Sequence, residues 1–191
     1  MYSNFYLNQI LSEYEDKINN LINKQDRDYI INMNDNDIEK FINKIENEVN
    51  LKINIYFNKK DILFDKEDIP AEKFPKGYCV RKGSSCETDI ITVKIPYDGS
   101  YKLLNNIKTN KKINIENNNI YIKIVRFSET DEEIENIIKN TITEIMQQHN
   151  RITEKINDFN IKQKIREKLK EKINKLNREN NSRNNIIKNL I

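Results

Sequence analysis

SETDEEIENIIKNTITEIMQQHNRITEKINDF, residues 128–159, is the stretch around which the rest of this 191-residue chain is organised. Ser128 or Thr130 can cap the backbone donors of a first helical turn. Asp131, Glu132 and Glu133 then stand at the positive end of the helix dipole. Past that turn the apolar stripe, interrupted once by a histidine, is Ile138, Ile142, Ile145, His149, Ile152, Ile156 and Phe159, spaced four and three residues in alternation. A 4-3 spacing held for about three heptads is a helix-pairing seam, because it keeps one side of the helix turned toward a partner. The phase breaks at Asp158-Phe159-Asn160, and a second stripe resumes at Ile161, Ile165, Leu169, Ile173 and Leu176. A short link between two striped helices predicts an antiparallel helical hairpin over residues 128–180, with one continuous helix as the alternative. The partner of the seam is then the second helix or another protomer.

Upstream, Phe5, Tyr6, Ile10, Leu11, Tyr14, Ile18, Leu21 and Ile22 recur at steps of three and four and predict an amphipathic helix. A short link at residues 30–34 leads to a second helix capped by Asn34 or Asp35, with Ile38, Phe41, Ile42, Ile45 and Val49 on one face. Residues 51–57 alternate with period two and read as a strand. Residues 58–77 are less regular: Ile62, Leu63 and Phe64 lie between charges, and Pro70 and Pro75 interrupt a regular ladder. Residues 77–80 are expected to form a short strand before a loop. IITVKIP (residues 90–96) is a β-branched strand that Pro96 is expected to stop. A turn at residues 97–100 precedes a turn or two of helix over 101–107. Ile113 and Ile115, then Ile120, Ile122 and Ile124, alternate on either side of Asn117-Asn118-Asn119. Because Asn tolerates positive φ, this is a hairpin.

The chain is 37% hydrophobic and 33% charged, with a mean hydropathy of −0.83, so any core must be lean and rich in Ile. The 32 asparagines are interleaved with periodic Ile, which favours a folded domain over an Asn-rich disordered tract. Residues 161–191 carry ten Lys or Arg against three Glu, a charge of +7. By difference from the whole chain's +3, the remainder is −4. No run of about 18 apolar residues exists and the first residues do not form a signal peptide. A cytoplasmic protein with free thiols at Cys79 and Cys86 is expected.

Chemistry is sparse. His149 is the only histidine, which removes His-based triads and two-His metal sites. On the seam it is read as a packing residue, with a pH-sensing or catalytic role as the alternative. Cys79 and Cys86 lack the spacing of a zinc knuckle, and only Arg81 and Lys82 nearby suggest a reactive thiol. Lys82-Gly83-Ser84-Ser85 lacks the glycine-rich run of a phosphate loop. The one Glu-x-Lys of a magnesium nuclease, Glu15-Asp16-Lys17, falls on a helix. No catalytic, metal or cofactor site is expected. The basic stripe Lys162, Lys164, Arg166, Lys168, Lys170, Lys172, Lys175 and Arg178 is the best non-structural feature: it could neutralise phosphates, or it could be a solvated outer helix face. It has no interleaved aromatics, so base stacking is unsupported.

Four places resemble a bacterial family in which such a module precedes a restriction-endonuclease-like nuclease domain. They are YIINMNDNDIEKFI (29–42), TVKIPYDG (92–99) with YKLL (101–104), NIYI (119–122), and residues 142–160 ending in Asp158-Phe159-Asn160. The chain departs from the family at residues 107–112, where a proline-rich connection is usual, and it stops about where the nuclease half would begin. The resemblance therefore transfers no catalytic residue. It implies a part in defence against phage.

The expectation is an α+β protein: two N-terminal helices and a small antiparallel sheet over residues 1–127, a helical hairpin over 128–180, and a tail or the start of a continuation over 181–191. The expected function is a non-catalytic recognition or assembly module that regulates or positions a nuclease. Its partner would be a protein or a second copy of this chain, with no membrane contact. The alternative is a nucleic-acid-binding module using the basic helix. A hydrolase using Cys79 or Cys86 is the enzyme-class hypothesis.

Overall fold

The computed structural model describes residues 2–190, and the side chains of residues 6–184. The Phe5 side chain and Ile191 fall outside the described residues. The chain is α+β, with an antiparallel sheet and a long bent C-terminal helix, and it divides into two compact units. One comprises residues 1–52 and 152–191, the other residues 53–151. The boundaries expected at residues 127 and 180 are not where the units divide. The N-terminal helices share a unit with the C-terminal helix rather than with the strands.

In the helical unit, α1 (Tyr2–Asn23) buries Leu7, Leu11, Ile18 and Ile22. The link expected at residues 30–34 contains a five-residue helix, α2 (Arg27–Ile31). The Asp26 carboxylate caps it by accepting from the Asp28 and Tyr29 amides. Helix α3 (Asp35–Val49) opens with a capping box. Asn34 accepts from the Asp37 amide while Asp37 accepts from the Asn34 amide, so two orphan donors are satisfied together. Asn50, at φ 50°, closes α3 in the left-handed conformation.

Helix α5 (Asp131–Phe159) is separated from α6 (Ile161–Leu190) by Asn160 alone, which adopts φ 44°. Asn160 breaks the ladder of α5, and its Oδ1 accepts from the Gln163 amide to start α6. A reversal into a helical hairpin takes a loop of roughly two to five residues. One residue gives a bend, so the hairpin expected over 128–180 is replaced by a bent helix. Helix α6 packs on α1, α2 and α3 through Ile165, Leu169 and Leu176. The tail expected at 181–191 continues α6 to Leu190.

The other unit is a five-stranded antiparallel sheet with residues 131–151 of α5. The strands are β1 (Ile53–Ile55), β2 (Asp61–Pro70), β3 (Ser85–Gly99), β4 (Ile113–Glu116) and β5 (Asn119–Arg126). The central strand β3 pairs with β5 along one edge and with β2 and then β1 along the other. Pro96 does not end it. Pro96 lies opposite Asn119 where β5 begins, next to the residues that pair with β1, and its carbonyl accepts from Tyr56. The β4–β5 hairpin turns on Asn117 and Asn118, both at positive φ (49° and 57°), as a two-residue primed turn requires. Alternation places Ile91, Val93 and Ile95 of β3 with Ile120, Ile122 and Ile124 of β5 on one face, where all are buried. Leu103 and Leu104 of α4 (Tyr101–Leu104) and Ile134, Ile138 and Ile145 of α5 add to this core.

Strand β2 is the largest difference from the sequence expectation. Residues expected to be irregular form a ten-residue strand paired with β3 along its whole length, and residues 77–80 form none. Strand β2 shows no period-two pattern because it buries neither face: all but Ile69 are exposed.

Candidate interaction surfaces

The basic residues of α6 project from a helix that lies on the acid-bearing helices α1 and α3. Lys162 Nζ is 3.4 Å from Glu46, and Lys164 and Lys168 stand 3.9 and 3.7 Å from the same Glu15 carboxylate. The Arg166 guanidinium reaches Glu39 at 2.6 Å, and Lys172 donates to the Asn23 side chain at 3.1 Å. Surface pairs of this kind contribute about 0–1 kcal/mol each to stability. Their effect on the surface is larger than that, since the carboxylates beside Lys162, Lys164, Arg166 and Lys168 cancel their field at a distance, whereas Lys172, beside a neutral amide, keeps its charge. Of the expected phosphate-binding residues, Lys170, Lys175 and Arg178 are exposed and take part in no ion pair among the described residues. Glu15, Glu39 and Glu46 lie more than a hundred residues before the cations they neutralise, beyond the reach of a charge count along one segment; Glu171, 3.6 Å from Lys168, is on α6 itself.

The seam is divided between the two units. Ile138, Ile142, Ile145 and His149 belong to the sheet unit, and Ile152, Ile156 and Phe159 to the helical unit. Ile138, Ile145 and Ile152 are buried, Ile142, Ile156 and Phe159 half-buried. Ile134 and Thr141, which the heptad pattern passed over, are buried on the same helix. The Thr141 hydroxyl donates back to the Ile137 carbonyl. His149 lies with its Nε2 3.2 Å from the Ile53 carbonyl of β1, and its ring meets Phe57 edge-on at 6.4 Å. A carbonyl only accepts, so Nε2 carries the proton and the side chain ties α5 to the sheet. Two further polar side chains of α5 do the same for the loop before β4. Gln148 both donates to and accepts from the Lys108 backbone, and Glu144 accepts from Asn110.

The start of α5 is fixed by two carboxylates. Thr130 and Glu133 form a capping box, the Thr130 amide donating to Glu133 at 2.8 Å and the Glu133 amide to the Thr130 hydroxyl at 3.2 Å. Before it, the Glu129 carboxylate accepts from the Phe127 and Ser128 amides. Partial burial pushes its pKa up, but these backbone donors and nearby Lys111 outweigh that and hold it below the usual 4.5.

The most exposed apolar side chains of the sheet lie side by side on β2. Ile62 is 44% exposed, Leu63 52% and Phe64 78%. The outer edge of β2 receives no backbone hydrogen bond among the described residues. Around these side chains, Lys66 pairs with Glu87 at 3.0 Å, whose hydrogen bond and charge raise the lysine pKa. Glu67 pairs with Lys123 at 2.5 Å. Asp61, Asp65 and Asp68 form no ion pair among the described residues. The one sequence signal for this surface is the apolar triplet set between charges. Beyond β2, the segment leading back to β3 is anchored by a cluster of Phe74, Tyr78 and Phe127 with ring centroids 4.9–5.8 Å apart.

Cys79 and Cys86 are free and exposed. Among the described residues no group of three His, Cys, Asp or Glu is placed to hold a metal ion, and no helix is long and apolar enough to cross a membrane. Comparison with protein-family models, curated proteins and solved structures finds no match to this chain.

Proposed function

We propose that this chain is a non-catalytic recognition module that positions or regulates a nuclease effector in bacterial defence against phage. The observation that carries the recognition part is the β2–β3 hairpin. A ten-residue edge strand presents three adjacent apolar side chains to solvent, and apolar exposure of that kind marks an interaction surface. The nuclease and the defence role rest on the sequence resemblance. The test takes the nuclease encoded in continuation of, or beside, the native gene. The chain should retain that nuclease in a two-component co-purification, and I62S/L63S/F64S should lose it while keeping the helical circular dichroism of the wild type. A neighbourhood encoding no nuclease, or retention unchanged by the triple variant, would overturn the proposal.

Direct nucleic-acid binding is the second reading, and the unpaired Lys170, Lys175 and Arg178 favour it. Its test is retention on DNA or RNA that falls with salt and is lost in K170Q/K175Q/R178Q.

A further inference from the structure

We infer that the outer edge of β2 accepts an extended segment from a partner protein, with the pattern basic–apolar–any–apolar–basic, as an additional strand of the sheet. The inference rests on the recognition reading and names the partner chemistry of the same surface. Two rows of side chains run across the sheet through paired residues. In the first, Ile122 and Val93 are fully buried and Ile62 at the end is 44% exposed. In the second, Ile124 and Ile91 are buried and Phe64 is 78% exposed. Both rows belong to the core face and run out uncovered where the next strand would lie. A further strand with apolar residues opposite Ile62 and Phe64 would continue each row by one position. On the opposite face the same stretch presents Asp61, Leu63 and Asp65, the two aspartates without ion pairs. Residues facing them must be basic. The five-position pattern reads the same in both directions, so it defines the segment whether it enters parallel or antiparallel.

Charge also excludes the simplest occupant, a second copy of β2. A two-fold axis that joins two edges antiparallel must pair residues on the same face, so each residue i meets one whose number has the same parity. Centred on Leu63, the pairing sets Asp61 against Asp65; on Phe64, Asp61 against Glu67; on Asp65, that residue against itself. Centred on Lys66, Glu67 or Asp68, it again opposes like charges, and centring on Ile62 or Ile69 leaves only three residues of the strand to pair. Like charges directly opposite destabilise a strand pair.

The probe is a fluorescein-labelled peptide with the core Lys-Ile-Thr-Val-Lys, titrated into the full chain and followed by anisotropy. Controls are the Glu-Ile-Thr-Val-Glu counterpart and a Lys-Ile-Thr-Val-Lys peptide N-methylated at alternate amides. Hydrogen exchange maps the site. The basic peptide should bind and slow amide exchange within residues 61–65. The acidic and N-methylated peptides should bind at least ten-fold more weakly. D61N/D65N, two exposed substitutions that leave the core untouched, should weaken the basic peptide by roughly two- to twenty-fold. No binding, equal binding of all three peptides, protection outside β2, or self-association of the chain that F64S abolishes would each overturn the inference. If the peptides fail while I62S/L63S/F64S still releases the nuclease, the edge inference falls and the recognition reading stands. If they bind at β2 and nuclease retention is indifferent to the triple variant, the reverse holds.

Discussion

Replacing Glu15, Glu39 and Glu46 by glutamine removes the carboxylates beside Lys162, Lys164 and Arg166, and leaves Lys168 with Glu171 alone, 3.6 Å away on α6 itself. The formal charge of the chain rises from +3 to +6. Each pair lies at the surface, half-buried at Glu15, and contributes about 0–1 kcal/mol, so the helical unit should still fold. The electrostatic consequence is larger. If the three released cations contact phosphates, the slope of log affinity against log salt steepens by up to about 2.7, at about 0.9 per phosphate. Between 50 and 200 mM salt that slope corresponds to about a forty-fold change in affinity. The assay is anisotropy of labelled duplex and single-stranded DNA over that salt range, with thermal melts to verify folding. The wild type should show no slope steeper than the four cations with no carboxylate beside them, Lys170, Lys172, Lys175 and Arg178, allow, and the E15Q/E39Q/E46Q variant should be distinctly steeper. Equal slopes in the two proteins, with both folded, would refute the idea that the carboxylates of α1 and α3 cancel the basic stripe.

Ile145 is fully buried in the sheet unit, and Ile145→Ala should cost about 2–5 kcal/mol in urea unfolding; a loss below 1 kcal/mol would mean that α5 does not cover that core. Asn118 sits at φ 57° in the two-residue turn. Asn118→Gly should leave stability unchanged or slightly higher, whereas Asn118→Val should lower it by about 1–2 kcal/mol, both read by thermal melting. Glu129 has a folded pKa below the usual 4.5. A carboxylate lowered in this way contributes stability above its unfolded pKa and loses it as pH falls through the folded one. Urea melts should therefore find wild type above Glu129→Gln by a constant margin at neutral pH, narrowing below pH 4.5; a margin independent of pH would discount the carboxylate's charge.

What could be read in the sequence follows the range of the forces involved. Capping at Asn34 and Thr130, the Asn117–Asn118 turn and the break at Asn160 are local events settled within a few residues, and the residue types announced them. The stripes on α1, α3, α5 and α6 also announced themselves, because a helix shows its buried face in its own spacing. Their partners did not. The α5 seam fits a second helix as well as a sheet, and what decides is the uncovered Ile-rich face of β3 and β5. Strand β2 was missed because period-two patterning reports a strand only when one face is buried. A strand open on both sides has only its pairing with β3 to reveal it.

The same distinction separates the two surfaces that compete for a functional role. The positive stripe of α6 is conspicuous in the sequence and subdued in the fold, since Glu15, Glu39 and Glu46 are brought alongside it. The β2 edge is inconspicuous in the sequence and open in the fold. Edge strands are ordinarily protected by brevity, by proline or by lysine. Strand β2 is ten residues long, has proline only at its last position, and carries one lysine, which is tied to Glu87. Its remaining protection is negative charge at Asp61, Asp65 and Asp68. That charge repels another copy of itself and leaves the apolar rows ending at Ile62 and Phe64 uncovered. An edge closed to its own kind and open to a basic strand discriminates between partners, which solvent exposure alone would not achieve.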